Sequence, residues 1–312
     1  MNELMLSIYV PVYNHEKYIE KALDSILSQK TEYSYEVLVG EDCSKDMSRE
    51  ILKGYEEKHP GKLQVFYRKE NMNNATIRNS IDLRMRCKGK YIVILEGDDY
   101  WTDPYKIQKQ IDFLETHSDY LGVAHRCVVV DENSEPNGEK YPESEEGDYT
   151  FKHLVSEIMP GHSTTFMYRN PETCEMIDKS LMYQNLVPGD RLTFFTILSY
   201  GKIYCMNDVM SAYRHVKKGG SSFSATLKYN FQKQEDWHRE LCIFAEKNKN
   251  KEAIKYARLL YLRHIFIAFK QKDCSMAEMF RRARNRNCNL MDFALYIRCW
   301  MRHHLFHKKI WV

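Results

Sequence analysis

The first hundred residues alternate short apolar runs, rich in β-branched residues, with amphipathic segments of helical period. The apolar runs are LSIYVPVY at 6–13, YEVLVGE at 35–41, LQVFYR at 63–68 and YIVILEG at 91–97. In the first intervening segment, 15–29, the side chains of Ile19, Leu23 and Ile26 fall on one helical stripe. Strands separated by helices predict βαβ units, and hence an α/β fold with a doubly wound, mostly parallel sheet and helices on both faces.

The pattern becomes mixed after residue 103. A helix is predicted at 104–116, followed by a strand at 120–131, a polar loop at 133–148, a strand at 162–169, a helix beginning near 188 and a strand at 203–215. From residue 227 onward the sequence is helical and basic. We therefore predict one domain over 1–226, with halves 1–103 and 104–226, and a helical, basic C-terminal region over 227–312.

Composition limits the class of protein. The 312 residues are 43% apolar and 29% charged, which is typical of a globular chain and excludes collagen, disorder and a bare coiled coil. The nine cysteines are scattered singly, which argues against a zinc knuckle or a disulfide framework and favours a reducing compartment. We expect a cytoplasmic protein, because no signal peptide and no apolar stretch of about 18 residues stands out.

Charge is distributed unevenly along the chain. Residues 251–312 hold 14 Lys and Arg against 4 Asp and Glu, whereas residues 1–250 hold 32 against 39. Within 281–312, arginines and lysines are interleaved with aromatic and aliphatic residues, which suits peripheral contact with an anionic membrane. The alternative is a helical cap with a solvated cationic face. Nucleic-acid binding is not expected, since most of the chain is net acidic.

The string LEGDDYW at 95–101 is the most informative short motif. It places Asp98 and Asp99 after an apolar strand, and two such carboxylates suit a hard divalent cation that bridges two phosphates. Taken alone, an Asp-Asp pair also fits a turn or a helix cap. In doubly wound sheets ligands bind at the carboxyl ends of the strands, which is where this pair falls.

Three further motifs fall at the ends of the other predicted strands. They are VPVYN at 10–14, GEDCSKD at 40–46 and the stretch with Asn71, Arg78 and Asn79. With EGDD at 96–99, this ordered set resembles the inverting glycosyltransferases of family 2, whose GT-A fold binds nucleotide sugars. The likeness covers roughly residues 4–215. It implies a Mn²⁺- or Mg²⁺-dependent enzyme that uses a nucleotide diphosphate sugar. The resemblance also implies that this sugar is UDP-linked.

The resemblance assigns five donor-binding residues. Pro11 and Tyr13 match the residues that line the nucleotide base, and Asp42 matches the carboxylate that accepts the uracil imide N–H. Arg78 matches the arginine near the pyrophosphate, and Asp98 the carboxylate against the ribose and donor sugar. Tyr13 could instead be a core ring, and Arg78 could form a surface ion pair.

The resemblance also assigns the metal ligands and the base. Asp99 matches the direct metal ligand, and His215 is a candidate further ligand, although a lone histidine is often structural. Asp190, in VPGDRLTFF at 187–195, matches the base that takes the acceptor proton. The alternative is a helix N-cap, and a helix N-terminus would lower its pKa. Trp101 could stack on a sugar or fill core.

The expected product is a bacterial surface glycan such as capsule, exopolysaccharide or lipopolysaccharide, built on a saccharide or lipid-linked acceptor. A processive synthase is not expected, because the Q-x-x-R-W string of polymerising relatives is missing near YRHVKKGG at 213–220. Lys217 and Lys218 could belong to a loop that closes over the phosphates. His162 to Thr165 could contact the acceptor or be satisfied strand residues.

Two alternatives remain beside the transferase. A sugar-phosphate nucleotidyltransferase shares the sheet architecture but needs a glycine-rich loop after the first strand, and VPVYNHEKYIEK contains no glycine. A non-catalytic scaffold that binds nucleotide sugars is the other, and a homo-oligomer is left open. We expect a cytoplasmic enzyme, peripheral on the inner face of the plasma membrane.

Overall fold

The computed structural model describes residues 3–72, 78–216 and 230–306, with side chains up to residue 301. The chain forms two compact units. The first unit contains Met1–Asp148, Pro160–Ile177 and Lys202–Leu227, and the second contains Tyr149–Met159, Asp178–Gly201 and Lys228–Val312.

Among the described residues, nine strands form one sheet at the centre of the first unit. The strands are β1 (Leu6–Val12), β2 (Tyr35–Glu41), β3 (Leu63–Tyr67), β4 (Tyr91–Ile94), β5 (Tyr100–Trp101), β6 (Tyr120–Val130), β7 (Gly147–Tyr149), β8 (Met167–Arg169) and β9 (Lys202–Arg214). Apart from β7 they lie in the order β3-β2-β1-β4-β8-β6-β9-β5. The pairs β1–β2, β1–β4, β2–β3 and β6–β9 are parallel, and β8 and β5 pair antiparallel. The mixed, mostly parallel sheet is confirmed.

In the part of this unit that is described, four helices connect the strands. They are α1 (Ile19–Leu27), α2 (Ser48–Lys58), α3 (Asn79–Arg86) and α4 (Lys106–Thr116). The predicted stripe of α1 is confirmed: Ile19, Leu23 and Ile26 are fully buried and share one core with Ile8 and Val10 of β1. Burying each such side chain contributes roughly 1.5–3 kcal/mol, so this face fixes the helix on the sheet.

Three predicted element bounds were wrong. The first helix begins at Ile19 rather than at residue 15, and β4 ends at Ile94, so that Leu95 to Asp99 leave the sheet. The strand predicted at 162–169 begins at Met167, because Ser163–Thr165 form a 3₁₀ turn. The side chain of His162 caps this turn by accepting a hydrogen bond from the Thr164 amide.

The second unit is helical. Its helices are α5 (Phe151–Val155), α6 (Gly189–Tyr200), α7 (Phe231–Lys247), α8 (Lys251–Lys270), α9 (Met276–Asn285) and α10 (Leu290–Phe306). Asn250 caps α8, and Ser275 with Glu278 forms a capping box on α9. The helical C-terminal region is thus confirmed, and none of the helices described is both long and apolar enough to cross a bilayer.

The sequence assigned 149–159 and 178–201 to the domain over 1–226, but both segments fall in the second unit. Their helices α5 and α6 pack against α8, and Phe151 of α5 stacks on Tyr256 of α8. Long-range contacts of this kind decide domain membership, whereas the sequence shows only the order of the segments.

Replacement by alanine is expected to change the stability of the protein in opposite directions at two glycines of the first unit. A Cβ at Gly40 in β2 would overlap Oδ1 of Asn79 and lie 2.8 Å from its Nδ2, while a Cβ at Gly54 in α2 meets nothing within 4 Å. We expect Gly40→Ala to cost about 1–3 kcal/mol of unfolding free energy, and Gly54→Ala to add roughly 0.5–1 kcal/mol. Urea unfolding of both variants tests this, and equal shifts would contradict it.

Candidate functional site

The strand ends that carry the motifs lie side by side at one edge of the sheet. The Asp42 amide, just past β2, donates to the carbonyl of Val12 at the end of β1 (2.9 Å). The Gly97 amide, beyond β4, donates to the carbonyl of Pro11 (3.3 Å). A Cβ on Gly97 would lie 2.6 Å from Nδ1 of His15, so glycine is needed for this close approach.

Asp42 is held at this edge by the segment that follows β3. Its side chain is only 6% exposed, and its Oδ1 accepts the Met72 amide (2.8 Å). The Asn71 side chain donates to the Asp42 carbonyl (3.0 Å). Burial raises the pKa of the Asp42 carboxyl, although the Met72 bond and the Arg68 charge oppose the shift. Oδ2 provides further acceptor sites for a donor such as an imide N–H.

The neighbouring acidic residues of this loop have structural roles. Glu41 accepts the Ser44 amide (2.5 Å) and Nε of Arg49 (2.6 Å). Asp46 accepts the amides of Ser48 (3.0 Å) and Glu16 (2.9 Å). Burial acts against its charge, but these hydrogen bonds lower the pKa of Asp46. The loop is therefore fixed by its own carboxylates.

Arg78 lies immediately before α3, which is attached to the same edge. The Asn79 side chain donates to the Gly40 carbonyl (2.7 Å) and so ties the start of the helix to β2. Nε of Arg78 is buried and finds no hydrogen-bond partner within the described ranges. Burial lowers the pKa of this guanidinium. An anion such as a phosphate would supply the missing acceptor.

The turn with Asp98 and Asp99 is fixed by Arg214, a residue that sequence reasoning missed. The Arg214 amide donates to Oδ1 of Asp99 (2.8 Å), and its Nε donates to the Asp98 carbonyl (2.8 Å). Its other guanidinium nitrogens reach the Asp131 carbonyl (2.6 Å) and Oγ of Ser134 (2.9 Å). A single arginine in a strand-like run gives no signal of such a role.

Asp99 has the features of a cation ligand. Its side chain is 1% exposed, and Oδ2 has no hydrogen-bond partner in the part of the chain that is described. Burial and the adjacent Asp98 charge raise the pKa of Asp99 well above its usual value. Nδ1 of His162 lies 3.3 Å from Oδ2, but burial lowers the pKa of His162 to about 3, so this ring is neutral and supplies no charge.

A divalent cation fits this carboxylate pair. A buried, unsatisfied carboxylate oxygen is costly, and a bound cation removes that cost. Over residues 3–72, 78–216 and 230–301 there is no group of three or more His, Cys, Asp or Glu that could hold a metal by itself. Mg²⁺ typically takes one or two carboxylates and completes its shell with water and substrate phosphates, which matches such an open site.

His215 follows Arg214 directly. Its Nδ1 lies 2.6 Å from Oε2 of Glu139, which leaves Nε2 as the ring atom for a ligand. The Tyr213 ring stacks on His162 (centroids 4.0 Å apart) and on His215 (6.0 Å). A carboxylate behind a histidine is a common way to orient a metal-binding imidazole. The metal role of His215 stays a prediction, and Lys217 and Lys218 lie outside the described residues.

Asp190 belongs to the second unit, in the first turn of α6. It is the second residue of the helix, and Pro188 occupies the N-cap position. The Trp237 indole donates to the Pro188 carbonyl (3.0 Å) and braces this helix start. Burial raises the pKa of Asp190, although the Arg191 charge and amide oppose the shift. The predicted lowering was wrong, because the sequence shows the helix end and not the desolvation.

The two aromatic candidates, Tyr13 and Trp101, differ in how far they are buried. Tyr13, like Pro11, is partly exposed at the end of β1, so it is not a closed core ring. Trp101 is 4% exposed and donates to the Thr164 carbonyl (3.4 Å), while Nζ of Lys106 lies 4.1 Å from the ring centroid. Trp101 therefore fills core.

Known proteins resemble this chain in both fold and sequence. A crystal structure of Staphylococcus aureus TarS, residues 1–349 in complex with UDP-GlcNAc, matches with a TM-score of 0.63 at 19% identity and covers 85% of this chain and 73% of that one. The mannosyltransferase PcManGT from Pyrobaculum calidifontis, with GDP-Man and Mn²⁺, matches at 0.50 and 14% identity, over 95% and 84%. The architecture is the GT-A fold of nucleotide-sugar-binding proteins.

Sequence comparison assigns the family. The profile of glycosyl transferase family 2 matches residues 7–176, more than half of the chain, and the protein belongs to this family. The putative teichuronic acid biosynthesis glycosyltransferase TuaG of Bacillus subtilis is 28% identical over 70% of this chain and 82% of its own length. An uncharacterised Mycobacterium tuberculosis protein is 28% identical over 69% of this chain. The match spans 60% of that relative's own length.

Proposed function

We propose that the protein is an inverting, metal-dependent glycosyltransferase that moves a hexosyl or N-acetylhexosaminyl group from a UDP-linked sugar to a hydroxyl of a saccharide or lipid-linked acceptor. The observation that carries the proposal is the buried Asp99 carboxylate, whose Oδ2 lacks a partner within the described residues, at the sheet edge where β1 and β2 also end. A cation bound to this carboxylate would stabilise the negative charge of a diphosphate, which supports the proposal.

The donor is held by residues of the first unit. Pro11 and the partly exposed Tyr13 line the base, and Asp42 accepts the imide N–H. Arg78 directs its unsatisfied Nε to a diphosphate oxygen, and Asp98 accepts from the ribose and sugar. Asp99, with His215, would hold Mn²⁺ or Mg²⁺. When bound, the cation neutralises charge on the departing diphosphate.

Asp190 takes the acceptor proton. The acceptor oxygen forms a bond to the anomeric carbon on the face opposite the diphosphate, the carbon–oxygen bond to UDP breaks, and the hydroxyl proton passes to the Asp190 carboxylate. A carboxylate whose pKa is raised by burial is a stronger base than an ordinary aspartate, which favours this step. UDP leaves with the electron pair.

The relatives support a role in cell-surface polysaccharide synthesis. The name of TuaG refers to teichuronic acid, and TarS is named a poly(ribitol-phosphate) β-N-acetylglucosaminyltransferase. The proposal extends to capsule, exopolysaccharide or lipopolysaccharide, to a cytoplasmic location, and to contact of residues 281–312 with the inner face of the plasma membrane. A nucleotidyltransferase is disfavoured, since residues 10–21 offer no glycine-rich phosphate loop.

A nucleotide-sugar screen tests the proposal. We expect UDP and UDP-sugars to raise the melting temperature in the presence of Mn²⁺, and GDP to raise it less. With the matching UDP-sugar and a lipid-linked saccharide, UDP release should exceed the rate without acceptor. Binding without such release would support the scaffold alternative, and no response to any UDP compound would overturn the proposal.

A further inference from the structure

The last three helices of the second unit present an apolar surface to solvent. Met276, Phe280, Leu290 and Ile297 are 56%, 53%, 87% and 50% exposed, and we call these four side chains the apolar face. They border a groove of about 720 Å³ that is also lined by phenylalanines of α8 and α10, namely Phe266, Phe269 and Phe293. Large exposed apolar surfaces on a protein usually mark an interaction site.

The charge around this surface is positive. Residues 266–301 contain seven Lys and Arg against three Asp and Glu. Arg281, Arg284 and Arg298 are exposed, as are Lys270 and Lys272. Two of the three acidic residues already lie near arginines, because Asp292 is 3.7 Å from Arg258 and Glu278 is 3.9 Å from Arg281. The surface therefore combines exposed hydrocarbon with exposed cations.

The combination of apolar and cationic side chains indicates what binds to this surface. A second copy of the same face would bring like charges together, which disfavours self-association through it. An anionic phospholipid bilayer offers both components at once, since its acyl boundary accepts apolar side chains and its headgroups attract Lys and Arg. We infer that the apolar face and its groove dock on an anionic bilayer, with the neighbouring arginines at the headgroups.

The inference deepens the membrane contact given in the proposed function, on which it rests, and it does not depend on sugar transfer. It also places the centre of the contact earlier in the chain than residues 281–312, because Phe266, Phe269 and Met276 precede that segment. All of the contributing side chains belong to the second unit. Docking would bring an enzyme without a described membrane-spanning helix to the surface where lipid-linked saccharides reside.

Vesicle flotation with the full-length protein tests the inference. We expect the wild-type protein to float with vesicles of phosphatidylcholine and phosphatidylglycerol, and much less with phosphatidylcholine alone. Met276→Ser/Leu290→Ser should weaken this partition about tenfold or more, because two exposed apolar side chains leave the contact. The matched control is Met176→Ser/Val209→Ser, which removes side chains of 66% and 51% exposure from the first unit.

Three outcomes would overturn the inference. They are equal flotation of the wild-type protein on both vesicles, equal partition of the two double variants, and a dimer in solution that Met276→Ser/Leu290→Ser dissociates. Circular dichroism melting checks that the variants fold. UDP binding is measured in parallel, so that failure of docking and failure of the proposed transfer reaction are recognised separately.

Discussion

Asp99→Asn is expected to lower the rate of sugar transfer about a thousandfold and to abolish the Mn²⁺-dependent gain in UDP affinity. A metal supplies several kcal/mol of charge stabilisation at a departing diphosphate, and each 1.4 kcal/mol is tenfold in rate. Asparagine keeps an oxygen for the Arg214 amide, so the turn retains its 2.8 Å hydrogen bond. The variant therefore removes the charge and leaves the geometry.

Calorimetry of UDP binding with and without Mn²⁺ checks this result. Asp103→Asn is the matched control, because it removes a carboxylate four residues away that pairs with Lys109 at 2.8 Å. We expect Asp99→Asn to melt no lower than wild type at neutral pH, because burial penalises the charged form that asparagine replaces. Unchanged Mn²⁺ dependence in a folded Asp99→Asn protein would contradict the metal site.

Asp190→Asn is expected to lower kcat by about 10²–10⁴ while leaving the donor Kd nearly unchanged, because the role proposed for Asp190 is that of a general base without a donor contact. Initial rates of UDP release, with donor affinity measured separately, check this. Asp178→Asn is the control in the same unit, since Asp178 pairs with Lys247 at 2.7 Å. Equal losses in both variants would rule out the base role.

The pH profile gives a second readout for the same residue. Burial raises the pKa of Asp190, so protonation inactivates the base at a higher pH than for an ordinary aspartate. Activity should rise with pH through that shifted pKa and then level off. The residual activity of Asp190→Asn should no longer fall as the pH is lowered through this range. The same fall in activity in that variant would show that another group titrates.

Much of the fold followed from the periodicity of the sequence. Strands β1 to β4 and the buried stripe of α1 are local patterns, because β1, β2 and β4 are short, largely continuous runs of buried residues and α1 buries residues at helical spacing. The mixed pairing of β8 and the membership of α5 and α6 in the second unit depend on long-range contacts, which no local pattern encodes. The 3₁₀ turn over Ser163–Thr165 was missed although its hydrogen bonds are local, because β-branched threonines also suit a strand.

The candidate site, like the fold, could be predicted only in part from the sequence. The motif order predicted Asp42, Gly97 and Asp99 at one edge, and the hydrogen bonds of Asp42 to Val12 and of Gly97 to Pro11 agree with this for the first two. Arg214 was not predicted, because its four bonds join segments that are far apart in sequence. The roles of the individual site residues remain predictions for the variants above to decide.

The bonds of Arg214 set a condition for redesigning this protein. One guanidinium spans the carboxylate turn and the start of the polar loop, through the carbonyls of Asp98 and Asp131 and the hydroxyl of Ser134. A chimaera that exchanges this loop for that of a relative has to keep the segment from Asp131 to Ser134 in register. Grafts that begin after Ser134 leave this anchor intact, but they have to keep a carboxylate at the place of Glu139, which lies 2.6 Å from Nδ1 of His215.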